Sequence, residues 1–443
     1  MSPSPPGTPR RSVAPLELFF DLVFVFAIGQ LAEHLLHELS WRGAAETAVM
    51  LVAVLSTWAL TSFDATFLDV ERPRTRWLVL VVMGLGLFMN AQIPHAFAGR
   101  PWAFAIPLVA ILLLVDIAAA ATAPTPVLRR HYRRVTVWAI VSVPLWLIGA
   151  ATDHGPRLAW WAAAAAVDML GVWLAHPLPR DRLSSQDLVF DAEHMVERIR
   201  LFIIIQLGET VLTIGTAISG APVDAATVTA GLGVFVALVC LCASYFQGGE
   251  DILARHVATT TDKLLPVRRA VSGQYPTLAG LVALAVGAEL AIAHPTGHGS
   301  TTLSLLLFGG PILYVITQAW WYHASTGQAW GARLLACLAF ALAGTATLRM
   351  PPLIAVLILD VILIALVTAL RAVHRRVLAG RPPSPTRRRA SGGQPMRPPP
   401  PKAHHDSRSE LPYSTGKFFR SSNAVTSERY SSHSCFLLRR KKS

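Results

Sequence analysis

The sequence predicts an all-α integral membrane protein with about twelve transmembrane helices. Its 443 residues are 53% hydrophobic and only 15% charged, whereas soluble domains are about 25% charged. Apolar windows of the length that crosses a bilayer, about 20 residues, recur along most of the chain. Arg and Lys are concentrated on alternate connections between these windows, which is typical of cytoplasmic loops.

The segments follow in this order. Residues 1–14 are basic and rich in proline, and they predict a disordered N-terminal segment. A polytopic transmembrane domain is predicted over 15–375. Its apolar windows are 16–37, 43–64, 77–97, 102–122, 134–150, 158–176, 199–219, 226–247, 275–294, 302–323, 330–348 and 351–371. Residues 376–443 predict a disordered, basic cytoplasmic tail rich in Pro and Ser, because this composition cannot bury a core.

The distribution of positive residues predicts that both termini are cytoplasmic. With the N-terminus inside, the inner connections carry sixteen Arg and Lys residues and the outer connections four, and Lys and Arg in short loops are retained on the cytoplasmic side. This count assigns Arg134, Arg198 and Arg333 to inner loops and Arg157 to an outer loop. The net charge of +13 therefore reflects topology, and we expect no nucleic-acid partner.

The first and seventh windows are weakly alike. LFFDLVFVFAIGQL and RLFIIIQLGETVL both place an aromatic and aliphatic run before Gly-Gln or Gly-Glu. This similarity predicts two parallel six-helix halves, 15–180 and 190–375, a plan found in transporters whose sites lie between the repeats. The alternative is a chance similarity between two apolar helices.

Acidic residues inside the windows are the first functional candidates, because a charge in a bilayer needs a partner, a protein interior or water. Glu17 and Asp21 share one helix face, where they either bind a cation or relay protons, or else pair with arginines at the membrane surface. Glu209 lies in the middle of the seventh window and lines a pathway or forms a buried ion pair. Further lone acids are Asp116, Asp168, Glu289 and Asp360, for each of which helix–helix hydrogen bonding is the favoured role.

Upstream of Glu209, the run AEHMVERIR places His194, Glu197 and Arg198 on adjacent turns. This group is either a gate or proton entry at the cytoplasmic mouth or a solvated turn at the membrane surface. Phosphate-binding loops, dinucleotide-binding glycine patterns, nucleophile elbows and metal-ligand spacings are missing from the sequence. We therefore expect no catalytic residues, cofactor or metal.

Several of these motifs resemble the bacterial low temperature requirement A family over about residues 13–370. They are PLELFFDLVFVFAIGQL, TSFDATFLD followed by NAQIPHAF, EHMVERIRLFIIIQLGETVLTIG and AGLVALAVGAELAIAHP. The signature positions that the resemblance carries over are Glu17, Phe19, Phe20, Asp21, His194, Glu197, Arg198, Gly208 and Glu209. The chain departs from the family pattern at Ala243-Ser244-Tyr245-Phe246-Gln247 and near Gln274 and Tyr275. The resemblance implies a multi-pass bacterial plasma (inner) membrane protein linked by name to growth in the cold.

These observations favour a secondary transporter coupled to protons or cations, with the lipid bilayer and a small solute or cation as partners. The alternatives are a cation channel, a membrane-bound enzyme, and a structural envelope protein without transport activity. The oligomeric state stays open. The candidate pathway residues are Glu17, Asp21, Gln30, His194, Glu197, Arg198, Gln206, Glu209 and Glu289.

Overall fold

The computed structural model describes residues 13–67, 73–123, 125–179, 191–246, 262, 264–326 and 330–379. Within these residues the predicted all-α class is confirmed, with twelve α-helices and one 3₁₀ turn, Ile93–His95. The helices are α1 (Pro15–His37), α2 (Trp41–Phe67), α3 (Pro73–Ala91), α4 (Pro101–Thr122), α5 (Pro126–Ala151), α6 (His154–Leu174), α7 (Ala192–Gly220), α8 (Ala225–Phe246), α9 (Leu264–Ala293), α10 (Thr301–Thr326), α11 (Gly331–Ala346) and α12 (Pro352–Ala379).

Nine of the helices in the described ranges are long and apolar enough to cross a membrane, which makes this a multi-pass membrane protein. The others are α3, α6 and α11. At 16 residues, α11 is about 24 Å long, shorter than the roughly 30 Å hydrocarbon core. Each predicted window coincides with one helix, but the count of twelve membrane spans stays a prediction. The predictions for 1–12, for 380–443 and for the break between the halves at 180–190 lie outside the described residues.

Helix starts follow from local chemistry. Pro15, Pro101 and Pro126 each stand at the beginning of a helix, where the missing N–H of proline costs no hydrogen bond. Asp191 accepts a hydrogen bond of 3.0 Å from the backbone N–H of His194 and so caps α7. Asp224 caps α8 in the same way, with 2.7 Å to the N–H of Thr227.

Helices α1, α7 and α9 pack against one another. Glu17 on α1 contacts His194 on α7, and Gly29 lies against Glu209 further along the same two helices. Because both residue numbers increase in the same direction, α1 and α7 run parallel. Two parallel six-helix halves would require this arrangement, and the repeat itself stays a prediction.

The backbones of α9 and α10 are in direct contact. A Cβ atom on Gly280 would lie 2.5 Å from the carbonyl oxygen of Gly310, and one on Gly310 would lie 2.6 Å from that of Gly280. One heptad further along α9, a Cβ on Gly287 would lie 2.9 Å from the backbone nitrogen of Leu307. Small residues at such crossings allow membrane helices to approach closely.

The assignment of four arginines to loops was wrong. Arg134, Arg198, Arg333 and Arg157 are all buried within helices. Arg157 donates 2.9 Å hydrogen bonds to the carbonyl oxygens of Phe97 and Thr152. A buried guanidinium is tolerated when carbonyl or carboxylate oxygens satisfy its N–H groups. Nine further arginines of the count also lie within helices, all in the first nine residues of their helix: Arg42, Arg74, Arg76, Arg129, Arg130, Arg133, Arg200, Arg268 and Arg269. The cytoplasmic location of the termini stays a prediction.

Gly310→Ala should lower the free energy of unfolding by about 1–3 kcal/mol, because its methyl group would force α10 away from α9. Gly309→Ala is the matched control, since a Cβ there has no atom within 4 Å and alanine favours a helix over glycine by up to about 1 kcal/mol. Thermal or detergent unfolding of the purified variants provides the comparison. Equal loss of stability in both variants would contradict the close α9–α10 contact.

Candidate functional site

The first part of the candidate site is a group of charged side chains between α1 and α7, which we call the charge cluster: Glu17, Asp21, His194 and Arg198. Each helix contributes two residues four apart, which lie on one face. The His194 Nε2 atom lies 3.2 Å from Glu17 Oε1. Arg198 Nη2 donates to Asp21 Oδ1 over 2.9 Å. The parallel helices therefore match two acids with two basic residues, turn by turn.

Asp21 is the most enclosed member of the charge cluster, with 0% of its surface exposed. Its Oδ1 atom also accepts a 2.8 Å hydrogen bond from the indole N–H of Trp58 on α2, and its Oδ2 atom accepts from Arg198 Nε over 3.4 Å. Both carboxylate oxygens of Asp21 are thus occupied. An ionised aspartate is tolerated inside a protein when it is paired and hydrogen-bonded in this way.

Aromatic rings enclose the charge cluster. The rings of Trp58 and Phe202 are stacked with centroids 4.1 Å apart, and the Arg198 guanidinium lies 5.2 Å from the centroid of the Phe20 ring, where a cation is attracted to the π electrons. Few water molecules can screen charges in such surroundings, so the attraction between them is stronger than at a surface. The cluster closes the α1–α7 interface at this level.

A pair of amides forms the next level along α7. Gln206 Nε2 donates to Gln274 Oε1 of α9 over 3.4 Å, and both side chains are buried. Gln206 Oε1 makes no hydrogen bond to the described residues. Gln274 also lines a small cavity with Tyr245, Gln318 and Trp321. This cavity therefore joins Tyr245, which lies in the segment where the chain lacks the tryptophans and the acid of the family pattern, to Gln274, near which it lacks the usual histidine.

Glu209 lies in the middle of α7 against α1. A Cβ atom on Gly29 would lie 2.9 Å from Glu209 Oε1, so the glycine makes room for this carboxylate. Its side chain is half-buried. Within the described part of the chain, the carboxylate of Glu209 has no hydrogen bond or ion pair. It is thus free to take up a proton or to bind a cation.

The structure does not bring all predicted residues together. Glu197 is exposed and points away from the charge cluster. Gln30 is half-buried next to Gly29. Glu289 on α9 is close to Glu33 and His37 at the far end of α1. The α1–α7–α9 interface therefore carries polar residues at several levels, which we call the polar seam: Glu17, Asp21, Gln30, His194, Arg198, Gln206, Gln274, Glu209 and Glu289.

Sequence reasoning missed Trp58 and Gly29, because neither side chain carries a charge. The indole N–H of Trp58 inside an apolar helix was the available signal, since a buried indole needs an acceptor. The lone acids Asp116 and Asp168 accept helix–helix hydrogen bonds from α5, as expected. Thr136 Oγ1 donates to Asp116 over 2.7 Å, and Trp146 Nε1 donates to Asp168 over 2.8 Å.

Comparison with known proteins gives the chain its family. The family model described as bacterial low temperature requirement A protein (LtrA) matches residues 12–368. The chain is also similar to uncharacterized protein RA0937 of Rhizobium meliloti (strain 1021), with 31% identity over 314 residues, which cover 70% of this chain and 77% of that protein. No solved structure matches the chain significantly. The match to the family model covers most of the chain, and the protein therefore belongs to the bacterial low temperature requirement A family.

Proposed function

We propose that this protein is a secondary transporter coupled to protons or cations, that it resides in the bacterial plasma (inner) membrane, and that the polar seam is its pathway. The observation that carries the proposal is Glu209, a half-buried carboxylate in mid-helix without a bonding partner among the described residues. In a bilayer such a group must meet water, take a proton or bind a cation. Each of these outcomes serves a coupled transporter.

The arrangement of the seam supports a pathway that is closed at one end. Glu17 and Gly29 are twelve positions apart on α1, which places the levels of Glu17 and Glu209 about 18 Å apart along the helix. The charge cluster, with its Asp21–Arg198 pair, blocks the end that we expect to face the cytoplasm. Because His194 contacts Glu17, a proton added to or removed from this pair would change how tightly α1 holds α7.

Parallel packing of α1 and α7 supports the two-halves plan, in which substrate sites lie between repeats. The cavity at Tyr245 and Gln274 opens beside the seam. Two amides, two aromatic rings, two threonines and Arg269 contribute to its wall. At about 30 Å³ it admits water or a small ion, and we propose that a small polar solute binds there only after α7 and α9 move apart. A cation channel is the alternative that uses the same seam, with steady conductance in place of coupled flux.

Glu209→Gln should abolish coupled flux while leaving folded protein, because it keeps the shape of the side chain and removes its titratable group. The assay is uptake and pH change in proteoliposomes over a panel of cations, amino acids and compatible solutes. Glu197→Gln is the matched control: it makes the same change on the same helix at an exposed position, and its flux should equal that of the wild type.

Three outcomes of this assay would change the proposal. Absence of flux in wild-type liposomes would overturn the transport proposal. Normal flux in Glu209→Gln would remove Glu209 from the pathway. A steady current that needs no solute gradient would replace the transporter with a channel.

Gly29→Ala should slow the flux several-fold without unfolding the protein. Its methyl group would lie 2.9 Å from Glu209 Oε1, and the flexible carboxylate would move away from α1. Gly215→Ala on α7 is the control, because a Cβ there has no atom within 4 Å. Flux and unfolding temperature are measured together, and a Gly29→Ala variant with wild-type flux would show that the position of the carboxylate does not matter.

A second candidate function, a structural membrane protein without transport, is favoured by the completeness of the Asp21–Arg198 pair. Every oxygen of Asp21 is bonded, so this acid acts as a clamp between α1, α2 and α7. A clamp explains the charge cluster without any substrate. It does not explain Glu209, whose carboxylate has no such partners.

The clamp makes its own prediction. Arg198→Gln should lower the free energy of unfolding by about 3–5 kcal/mol, because it leaves the Asp21 charge buried without its partner. The double variant Asp21→Asn, Arg198→Gln should be more stable than the sum of the single effects, since it removes both charges. Unfolding of Arg198→Gln, Asp21→Asn and the double variant in detergent measures this coupling. Simple additivity would show that the two residues do not stabilise the fold as a pair.

A further inference from the structure

A second buried polar site lies away from the seam, among α2, α4, α5 and α6. It is a cavity of about 30 Å³. Oxygen-bearing side chains from four helices face it: Ser56, Asp116, Ser142 and Asp168. Apolar side chains, Trp138 and His176 complete the wall. Neither the family nor the proposed pathway assigns a role to this cavity.

Two oxygen atoms in this cavity keep unused hydrogen-bonding capacity. Ser142 is 1% exposed and Asp116 is 3% exposed, yet Ser142 Oγ and Asp116 Oδ1 make no hydrogen bond of normal geometry to the described residues. Ser142 Oγ lies beside the carboxylate of Asp168. A buried polar atom without a partner costs free energy, so these oxygens indicate that something else binds to them.

Size restricts the occupant. A water molecule requires roughly 10–15 Å³ of such space, so the cavity holds one ion or one to two waters. An organic solute does not fit. Water alone would leave two carboxylates in an apolar interior without a neutralising charge, which is unfavourable unless they are protonated. One monovalent cation neutralises one carboxylate, and the other then carries a proton.

The ligand chemistry selects among cations. Carboxylate and hydroxyl oxygens are hard ligands that suit alkali and alkaline-earth ions. Ca²⁺ takes six to eight oxygens, and Mg²⁺ demands near-ideal octahedral geometry and keeps several of its waters. An alkali ion loses its waters more easily and accepts an irregular set of side-chain and water oxygens. Within the described residues, no group of three His, Cys, Asp or Glu side chains is placed to hold a metal ion, which disfavours the transition metals.

We propose that this cavity binds one Na⁺ ion through Asp116, Ser142 and Asp168. The ion would satisfy the free oxygen of Asp116 and the hydroxyl of Ser142, and it would join α4, α5 and α6. Thr136 and Trp146 hold the two carboxylates in position, because each donates a hydrogen bond to one of them. The site does not depend on transport through the seam.

The test is the unfolding temperature of the full-length protein in detergent, titrated with NaCl against choline chloride at constant ionic strength. NaCl should raise the unfolding temperature to a plateau, since a ligand that binds only the folded state stabilises it. Ser142→Ala should reduce the apparent Na⁺ affinity roughly tenfold or more, a typical loss when a supporting group of a metal site is removed. Ser304→Ala, at a buried serine of α10, should respond like the wild type.

Binding of ²²Na⁺ gives a second readout. The wild type should bind about one ion per chain, and Asp116→Asn should lose it. Glu197→Gln, which removes an exposed acid of α7, should still bind the ion, which shows that the loss is specific to the cavity. Equal stability in NaCl and choline chloride, without ²²Na⁺ binding, would mean that the cavity holds only water or protonated acids and would overturn the proposal. A response that Ser142→Ala and Asp116→Asn leave unchanged would place the ion elsewhere and overturn it as well.

Discussion

The ion pair between Asp21 and Arg198 is the interaction on which the rest of the polar seam depends. Parallel helices with the same 1.5 Å rise per residue stay in register, so one fixed pair sets the others. With Asp21 held by Arg198, Glu17 lies opposite His194 one turn earlier. Gly29, two turns later on α1, meets the long side chain of Glu209, which is three turns later on α7. A slip of one turn in one direction would place Arg198 opposite Val25 without a carboxylate, and a slip in the other direction would place Asp21 opposite Phe202 without a base. The pair therefore specifies register as well as contributing stability.

The surroundings of this pair decide how it can change. Trp58 and Phe202 exclude water, so separating Asp21 from Arg198 requires another proton, ion or water to replace the lost partner. In a transporter, this cost would keep the end at Asp21 and Arg198 closed until a proton, ion or water replaced the lost partner. In a structural protein, the same cost of separating Asp21 from Arg198 would hold α1 against α7. The two proposed functions share one physical basis and differ in whether Glu209 exchanges its occupant.

Hydropathy sufficed to predict the helices, because a helix in a bilayer must satisfy its own backbone hydrogen bonds wherever its neighbours lie. The common face of Glu17 and Asp21 followed from their spacing. Their partner did not, since a count of positive residues treats Arg198 as a loop residue, and only packing against α1 shows it to be buried. Glu197 illustrates the converse: adjacent to Arg198 in sequence, it is turned about 100° around α7 and is exposed. The contact of Trp58 with Asp21 joins two helices, and a single sequence does not show which helices are in contact.

The buried acids of this protein differ in how many of their carboxylate oxygens have no hydrogen bond. Asp21 uses both oxygens on Trp58 and Arg198, so it has no capacity left for a ligand. Asp116 has one oxygen bonded and one free, which suits an ion that other side chains also hold. Glu209 has neither oxygen bonded within the described residues, and a group with no fixed partner exchanges its occupant at the lowest cost. The same carboxylate chemistry thus suits a clamp, the proposed ion site and the proposed exchangeable site, according to how many hydrogen bonds the fold supplies.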